Sequence, residues 1–291
     1  MAQHSDPRPI GVFDSGVGGL TVLSELVRRL PGESTVYLGD NARAPYGLRP
    51  DEEIRRFSAE CLDALVARGV KMIVVACNSA SSVALRDLRL RYDLPILGVI
   101  RPGASAAALA TRNRRVGVIA TPATVRSRAY FAAIKDENPA LEVYEHATPA
   151  LVPLVEAGRL DGPAVEATVR GSLAPLLHDE SDDGSFAFPL PPGAHIDTLL
   201  LGCTHYPLLR PVIARVVGDG VAVVDSAAAT ASALAELLGV NGLEAPAGTS
   251  VSHAQLTTGD PDGFGATAER LFGAGFAAVE GLDLAAEAAR R

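Results

Sequence analysis

The chain has 291 residues, 48% of them hydrophobic, with a formal net charge of -8 at pH 7 and a pI near 5.3. That length can bury a substantial core and accommodate two α/β domains. The acidic balance, with no basic cluster beyond short arginine runs such as Arg112 to Arg115, argues against a nucleic-acid or acidic-membrane surface.

The start has no apolar leader pattern, and no apolar run approaches the ~18 residues a membrane span needs, so a cytoplasmic protein is expected. The three cysteines, Cys61, Cys77 and Cys203, cannot all pair with one another, and no Cys/His spacing suits a metal.

The chain opens with a strand, Pro9 to Phe13, running into Asp14-Ser15-Gly16-Val17-Gly18-Gly19 and a helix from Leu20 to Leu30. A dinucleotide fingerprint from Gly16 would need glycine at 21, where Thr21 stands, and no phosphate-binding G-K-[ST] occurs. Asp14 falls at the carboxyl end of a strand, the rim where open α/β sheets bind ligands. A second strand, Ser34 to Leu38, leads into Gly39 to Gly47, which reads as a rim or lid or as a plain connection. Asp51 is expected to cap a helix running to about Arg68. Cys61 sits in its apolar pattern and reads as a core residue.

The run Ile73-Val74-Val75-Ala76 delivers Cys77, Asn78 and Ser79. A helix is expected over Ser79 to Arg91 and a strand over Leu94 to Ile100. From Arg115 the pattern starts again. Val116 to Thr121 echoes Ile10 to Ser15, and Val143-Tyr144 echoes Val36-Tyr37, each about 107 positions later. Leu201-Gly202-Cys203 repeats Val75-Ala76-Cys77 at about 126 positions, the excess falling in an acidic Pro- and Gly-rich insertion, His178 to Gly193. Val221 to Val224 echoes Ile96 to Val99. The reading is an internal duplication: two pseudo-symmetric three-layer α/β domains with mostly parallel sheets and a site in the cleft between them. The first comprises residues 1–101 and 226–291 and carries Cys77; the second comprises residues 102–225 and carries Cys203. After Asp225-Ser226, a helix from Ala227 to Leu238, a strand-like Val251 to Thr257 and a helix to about Phe272 are read as returning to the first.

A cysteine just past a buried strand and just before a helix favours the thiolate. Two such cysteines facing each other suit inversion of a stereocentre beside a carboxylate, one thiolate removing the proton from one face while a thiol delivers a proton to the other. Pseudo-symmetric halves suit a reaction whose two directions are chemically equivalent. A pyridoxal Schiff base would need a lysine at the rim. Lys71 starts a strand and Lys135 lies in a helical stretch, so a cofactor-independent site is expected. Ser15, Asn78, Ser79, Thr121 and Thr204 could hold substrate carboxylates, His205 could polarise Cys203, and Asp14 could act on Cys77. Two other classes remain: a thiol hydrolase with Cys203 as nucleophile and His205 as base, which leaves Cys77 without a role, and a non-catalytic amino-acid-binding module.

Phe13 to Val22, Gly39 to Gly47, Val75 to Ser81 and Leu201 to Leu209, with Thr257-Thr258-Gly259-Asp260, resemble the signatures of glutamate racemases, in the aspartate/glutamate racemase family. The resemblance spans residues 9 to 273. It implies a cofactor-independent isomerase interconverting L- and D-glutamate and supplying D-glutamate for bacterial peptidoglycan. Position by position, Cys77 and Cys203 correspond to the two acid/base thiols. Asp14, Glu156 and His205 correspond to their assisting groups, Glu156 through the match of Val152 to Glu156. Asp14, Ser15, Tyr46, Gly47, Asn78, Ser79, Thr121, Thr204 and His205 correspond to substrate contacts. Ser79 stands where many relatives have threonine, keeping the hydroxyl and losing a methyl, and the insertion is longer than the family leads one to expect. The resemblance also implies a homodimer and, in some members, inhibition of DNA gyrase. A same-fold racemase or isomerase of aspartate or another acidic substrate is the alternative.

Overall fold

The computed structural model describes residues 5–177, 195–276 and 278–289; the insertion read at 178–193 lies outside them. The strands are β1 (Ile10–Asp14), β2 (Thr35–Gly39), β3 (Met72–Val75), β4 (Ile96–Gly98), β5 (Arg115–Ala120), β6 (Glu142–Ala147), β7 (Thr198–Gly202), β8 (Ala222–Asp225), β9 (His253–Thr257) and β10 (Glu280–Gly281). They form two sheets, ordered β10-β9-β2-β1-β3-β4 and β6-β5-β7-β8, and the described pairings are parallel.

The four-strand order of the second sheet repeats the β2-β1-β3-β4 part of the first. β1 and β3 are buried at every position, as strands covered on both faces must be. The faces alternate: Ile10, Val12, Met72 and Val74 pack in one apolar layer with Leu20, Leu23, Ala231 and Leu234, while Phe13, Ile73 and Val75 pack in another with Ile54, Leu62 and Leu65. In the second sheet Leu199 and Leu201 meet Val169, Leu173 and Val212, and Leu200 faces Tyr130 and Ile134. This is the two-sheet, three-layer α/β architecture the sequence led us to expect.

Several local expectations shift. Pro50, not Asp51, occupies the cap of the helix Asp51–Ala67; Asp51 begins it with Glu52 and Glu53, where carboxylates complement the helix dipole, and pairs with Arg126 at 3.0 Å. The stretch after Cys77 forms two pieces, Asn78–Val83 and Leu85–Arg91, meeting at Ala84. The strand at 94–100 is limited to Ile96–Gly98, because Ile100 starts the helix Ile100–Ala110. Gly39 to Gly47 is ordered by short 3-10 turns at Asn41–Arg43 and Tyr46–Leu48.

Lys71 is buried just before β3, its ammonium 2.5 Å from Glu33 and 2.8 Å from the Asp6 carbonyl, while Glu33 also accepts from the backbone N–H of Ala245 at 2.7 Å. One ion pair thus ties β3 to the segments flanking the first sheet. Lys71→Ala leaves the Glu33 charge buried without its cation and is expected to cost about 3–5 kcal/mol, read as a lower urea midpoint.

Candidate active site

In a strand order 2-1-3-4, the connections leaving the adjacent strands β1 and β3 run in opposite directions, and the crevice between their carboxyl ends is the place where open α/β sheets bind ligands. Asp14 ends β1 and Cys77 follows β3. The second sheet builds the same crevice, with Thr121 just past β5 and Cys203 just past β7.

The two rims meet. Thr204 Oγ1 donates to Asp14 Oδ1 at 3.5 Å, and Thr21 Oγ1 donates to the Thr204 carbonyl at 3.1 Å. Ser79 and Thr121 share a hydroxyl hydrogen bond at 2.9 Å, and Asn78 Nδ2 donates to the Tyr130 hydroxyl at 2.7 Å. The glycines serve this close approach and not a phosphate. A Cβ on Gly18 would stand 2.5 Å from Thr204 Oγ1 and 2.6 Å from His205 Nδ1, and one on Gly47 would stand 2.5 Å from Thr121 Cβ. Thr21, the residue that spoils the dinucleotide spacing, is one of the bridges.

The two thiols have different surroundings. Cys77 caps the helical turn Asn78–Val83, its sulfur accepting from the Ala80 N–H at 3.5 Å and donating to Ser15 Oγ at 3.4 Å. Burial pushes its pKa up, the Asp14 charge pushes it the same way, and the contacts to Ser15 and Ala80 oppose them, leaving it at about 12. Asp14 therefore acts on Cys77 through its field. Besides the Thr204 hydroxyl, it accepts from the backbone N–H groups of Gly16 and Gly19, each at 3.0 Å. Burial also raises Asp14 itself, against the His205 charge and those N–H groups.

Cys203 differs from the sequence expectation. It is followed by a turn and the 3-10 segment Tyr206–Leu209 before the helix Arg210–Val217, so no helix end addresses it. Histidine does instead: His205 Nδ1 lies 3.7 Å from Cys203 Sγ, and Nε2 lies 3.3 Å from Glu156 Oε1. Burial works against protonation of His205, but the contacts to Cys203 and Glu156 and the charges of Cys203 and Asp14 outweigh it, raising its pKa to about 10. Glu156 is steadied by Arg270, which donates to its carbonyl at 2.8 Å.

The residues named from the sequence as catalytic or substrate-binding lie on this interface or directly behind it. Tyr46 is behind: its hydroxyl donates to Asp40 and its ring packs near Phe13 and Phe57, so it positions Gly47 against Thr121. Asp40, buried and also joined to Arg43 at 2.8 Å and Thr258 at 2.6 Å, escaped the sequence reading, as did Tyr130. Asn78 Oδ1 is buried with no protein partner, an acceptor open to a ligand N–H. Cys61 is a core residue, with Arg43 Nη2 3.5 Å from its sulfur. Lys135 is occupied at a surface site, donating to the Pro139 carbonyl at 3.0 Å.

Residues 10–183 match the family model described as Asp/Glu/hydantoin racemase. The chain belongs to that family. A glutamate racemase of Exiguobacterium sibiricum is 46% identical over 257 residues, covering 88% of this chain and 89% of the relative. The structure of a glutamate racemase isoform from Bacillus anthracis superposes with a TM-score of 0.86 at 40% identity, covering 95% of this chain and 98% of that one. That of Francisella tularensis glutamate racemase, in complex with D-glutamate, has a TM-score of 0.82 at 32% identity, covering 97% and 99%.

Two outcomes are expected of this racemase-family site. Gly18→Ala, which forces the His205 loop back, should lower kcat/KM by about a hundredfold or more while the thermal midpoint moves little. In a chain whose other two cysteines are serine, thiolate absorbance should develop only toward pH 12, and Asp14→Asn, by removing a negative charge, should move it to lower pH.

Proposed function

We propose that the chain is a cofactor-independent racemase of glutamate in which Cys77 and Cys203 are the two acid/base groups. The observation that carries this is the placement of one cysteine at the switch-point rim of each of two sheets with the same strand order, rim facing rim. A hydrolase would leave Cys77 idle, and a binding module has no use for paired thiols. The names of the relatives and the D-glutamate bound to the Francisella enzyme support glutamate as the small-molecule substrate.

In this reading the two cysteines take opposite roles. Cys77 is the thiol, kept protonated by burial and by Asp14. Cys203 works as the thiolate beside the imidazolium of His205, which Glu156 orients and which stays charged at neutral pH. The Cys203 thiolate takes the α-proton, the electron pair moves into the adjoining carboxylate, and Cys77 returns a proton to the opposite face. The site then holds a Cys203 thiol and a Cys77 thiolate, poised for the reverse enantiomer. Asn78 Oδ1 accepts from the substrate ammonium, and the hydroxyls of Ser15, Ser79, Thr121 and Thr204 donate to its carboxylates.

The reading includes a cytoplasmic homodimer whose product enters peptidoglycan. Among the described residues no helix is long and apolar enough to cross a membrane.

The test is proton NMR of L-glutamate with the purified protein in D2O, with circular dichroism on the same sample. Loss of the α-proton with decay of the dichroism to zero is expected. No loss with glutamate, and loss with aspartate, would reassign the substrate; no loss with either would end the racemase reading. Cys77→Ala and Cys203→Ala should each lower racemisation by about 10²–10⁴. Each should still exchange the α-hydrogen slowly, and of opposite enantiomers, since the remaining base serves one face.

A further inference from the structure

We infer that Tyr130, which no sequence motif singles out, is a positioning residue that fixes Asn78 and with it the registration of the two cysteine-bearing rims. The inference rests on the racemase reading above.

Tyr130 lies in the helix Ala129–Glu137 and is wholly buried. Its hydroxyl receives Asn78 Nδ2 at 2.7 Å, and Asn78 is the residue after Cys77. Its ring lies against Gly202, the residue before Cys203, so closely that a Cβ there would stand 2.9 Å from Tyr130 Cε2. One side chain therefore touches the neighbour of each cysteine.

The same phenol also sits where the chain crosses between the sheets. The chain leaves the first sheet after β4 through the helix Ile100–Ala110 and enters β5, and it returns after β8 through Ser226 into the helix Ala227–Asn241. A Cβ on Gly103, in the outgoing crossover, would stand 3.2 Å from the Tyr130 hydroxyl and 3.0 Å from Ser226 Cβ, in the returning one. Ser226 and the Tyr130 hydroxyl therefore flank the same glycine.

In this arrangement the Asn78 amide presents its oxygen to the ligand. With Nδ2 held by the phenol, Oδ1 is left buried and unpartnered, an acceptor suited to an ammonium. Without the phenol the amide is free to rotate and present a donor, which an ammonium cannot use. Tyr130 thus acts through Asn78.

The experiment is a double-mutant cycle on steady-state racemisation of both glutamate enantiomers. Tyr130→Phe keeps the ring packing and removes only the hydroxyl. It is expected to lower kcat/KM by about tenfold, mostly through KM, because an interaction with the bound amino acid is weakened in ground and transition states alike. Tyr130→Phe added to Asn78→Ala should lower kcat/KM no further, since the positioned group is gone. Unchanged kinetics in Tyr130→Phe, or additive losses in the double variant, would overturn the inference, whatever happens to the thermal midpoint. The wild type is assayed first. A wild type inactive on glutamate and aspartate refutes the racemase reading and this inference with it, whereas an active wild type with an unaffected Tyr130→Phe refutes the positioning role alone.

Discussion

The arrangement depends on how closely the carboxyl rims of two parallel sheets approach. At Gly18 there is no room for a single carbon between β1's turn and the Thr204-His205 loop of the other sheet. That contact sets the two rims against each other. It also brings Asp14, an element of the first sheet, within the field of His205 from the second. Both sulfurs end up nearly shut off from solvent, Cys77 at 4% and Cys203 at 6% exposure. Between groups so buried, fixed charges act with little screening.

Duplication of the frame did not bring duplication of the chemistry. The second sheet repeats four strands of the first, yet one sulfur is governed by burial, a helical turn and a carboxylate, and the other by an imidazole held against a glutamate. A symmetric frame thus carries an asymmetric charge distribution around its two sulfurs.

Fold class was legible because its signal is local: apolar strands of four or five residues, each ending in a small or polar residue, recur in the same order along the chain. The rim residues were legible for the same reason, since they directly follow those strands. Features set by distant partners were not. Asp40 meets Thr258, 218 positions away, and Tyr130 meets Asn78, 52 positions away, and neither has a neighbouring residue that hints at the contact. The helix expected after Cys203 failed through local detail: Pro207 and the tight 3-10 turn delay it to Arg210, and His205 occupies the space instead. Asp51 stands one position inside the cap held by Pro50, and its carboxylate pairs with Arg126, 75 positions on.

The order of strands in the first sheet has a consequence for synthesis. β9 pairs with β2 along five residues, yet roughly 200 residues separate Gly39 from His253. At ribosomal rates of about 5–20 residues per second, β2 waits about 10–40 seconds for its outer neighbour. Through that interval its backbone donors and acceptors form an open edge able to pair with another chain. The second sheet has no such wait, since all of its strands are made consecutively between Arg115 and Asp225. The half of the chain that begins first is therefore finished last, and the nascent protein is most exposed to misassembly while its second half is already complete.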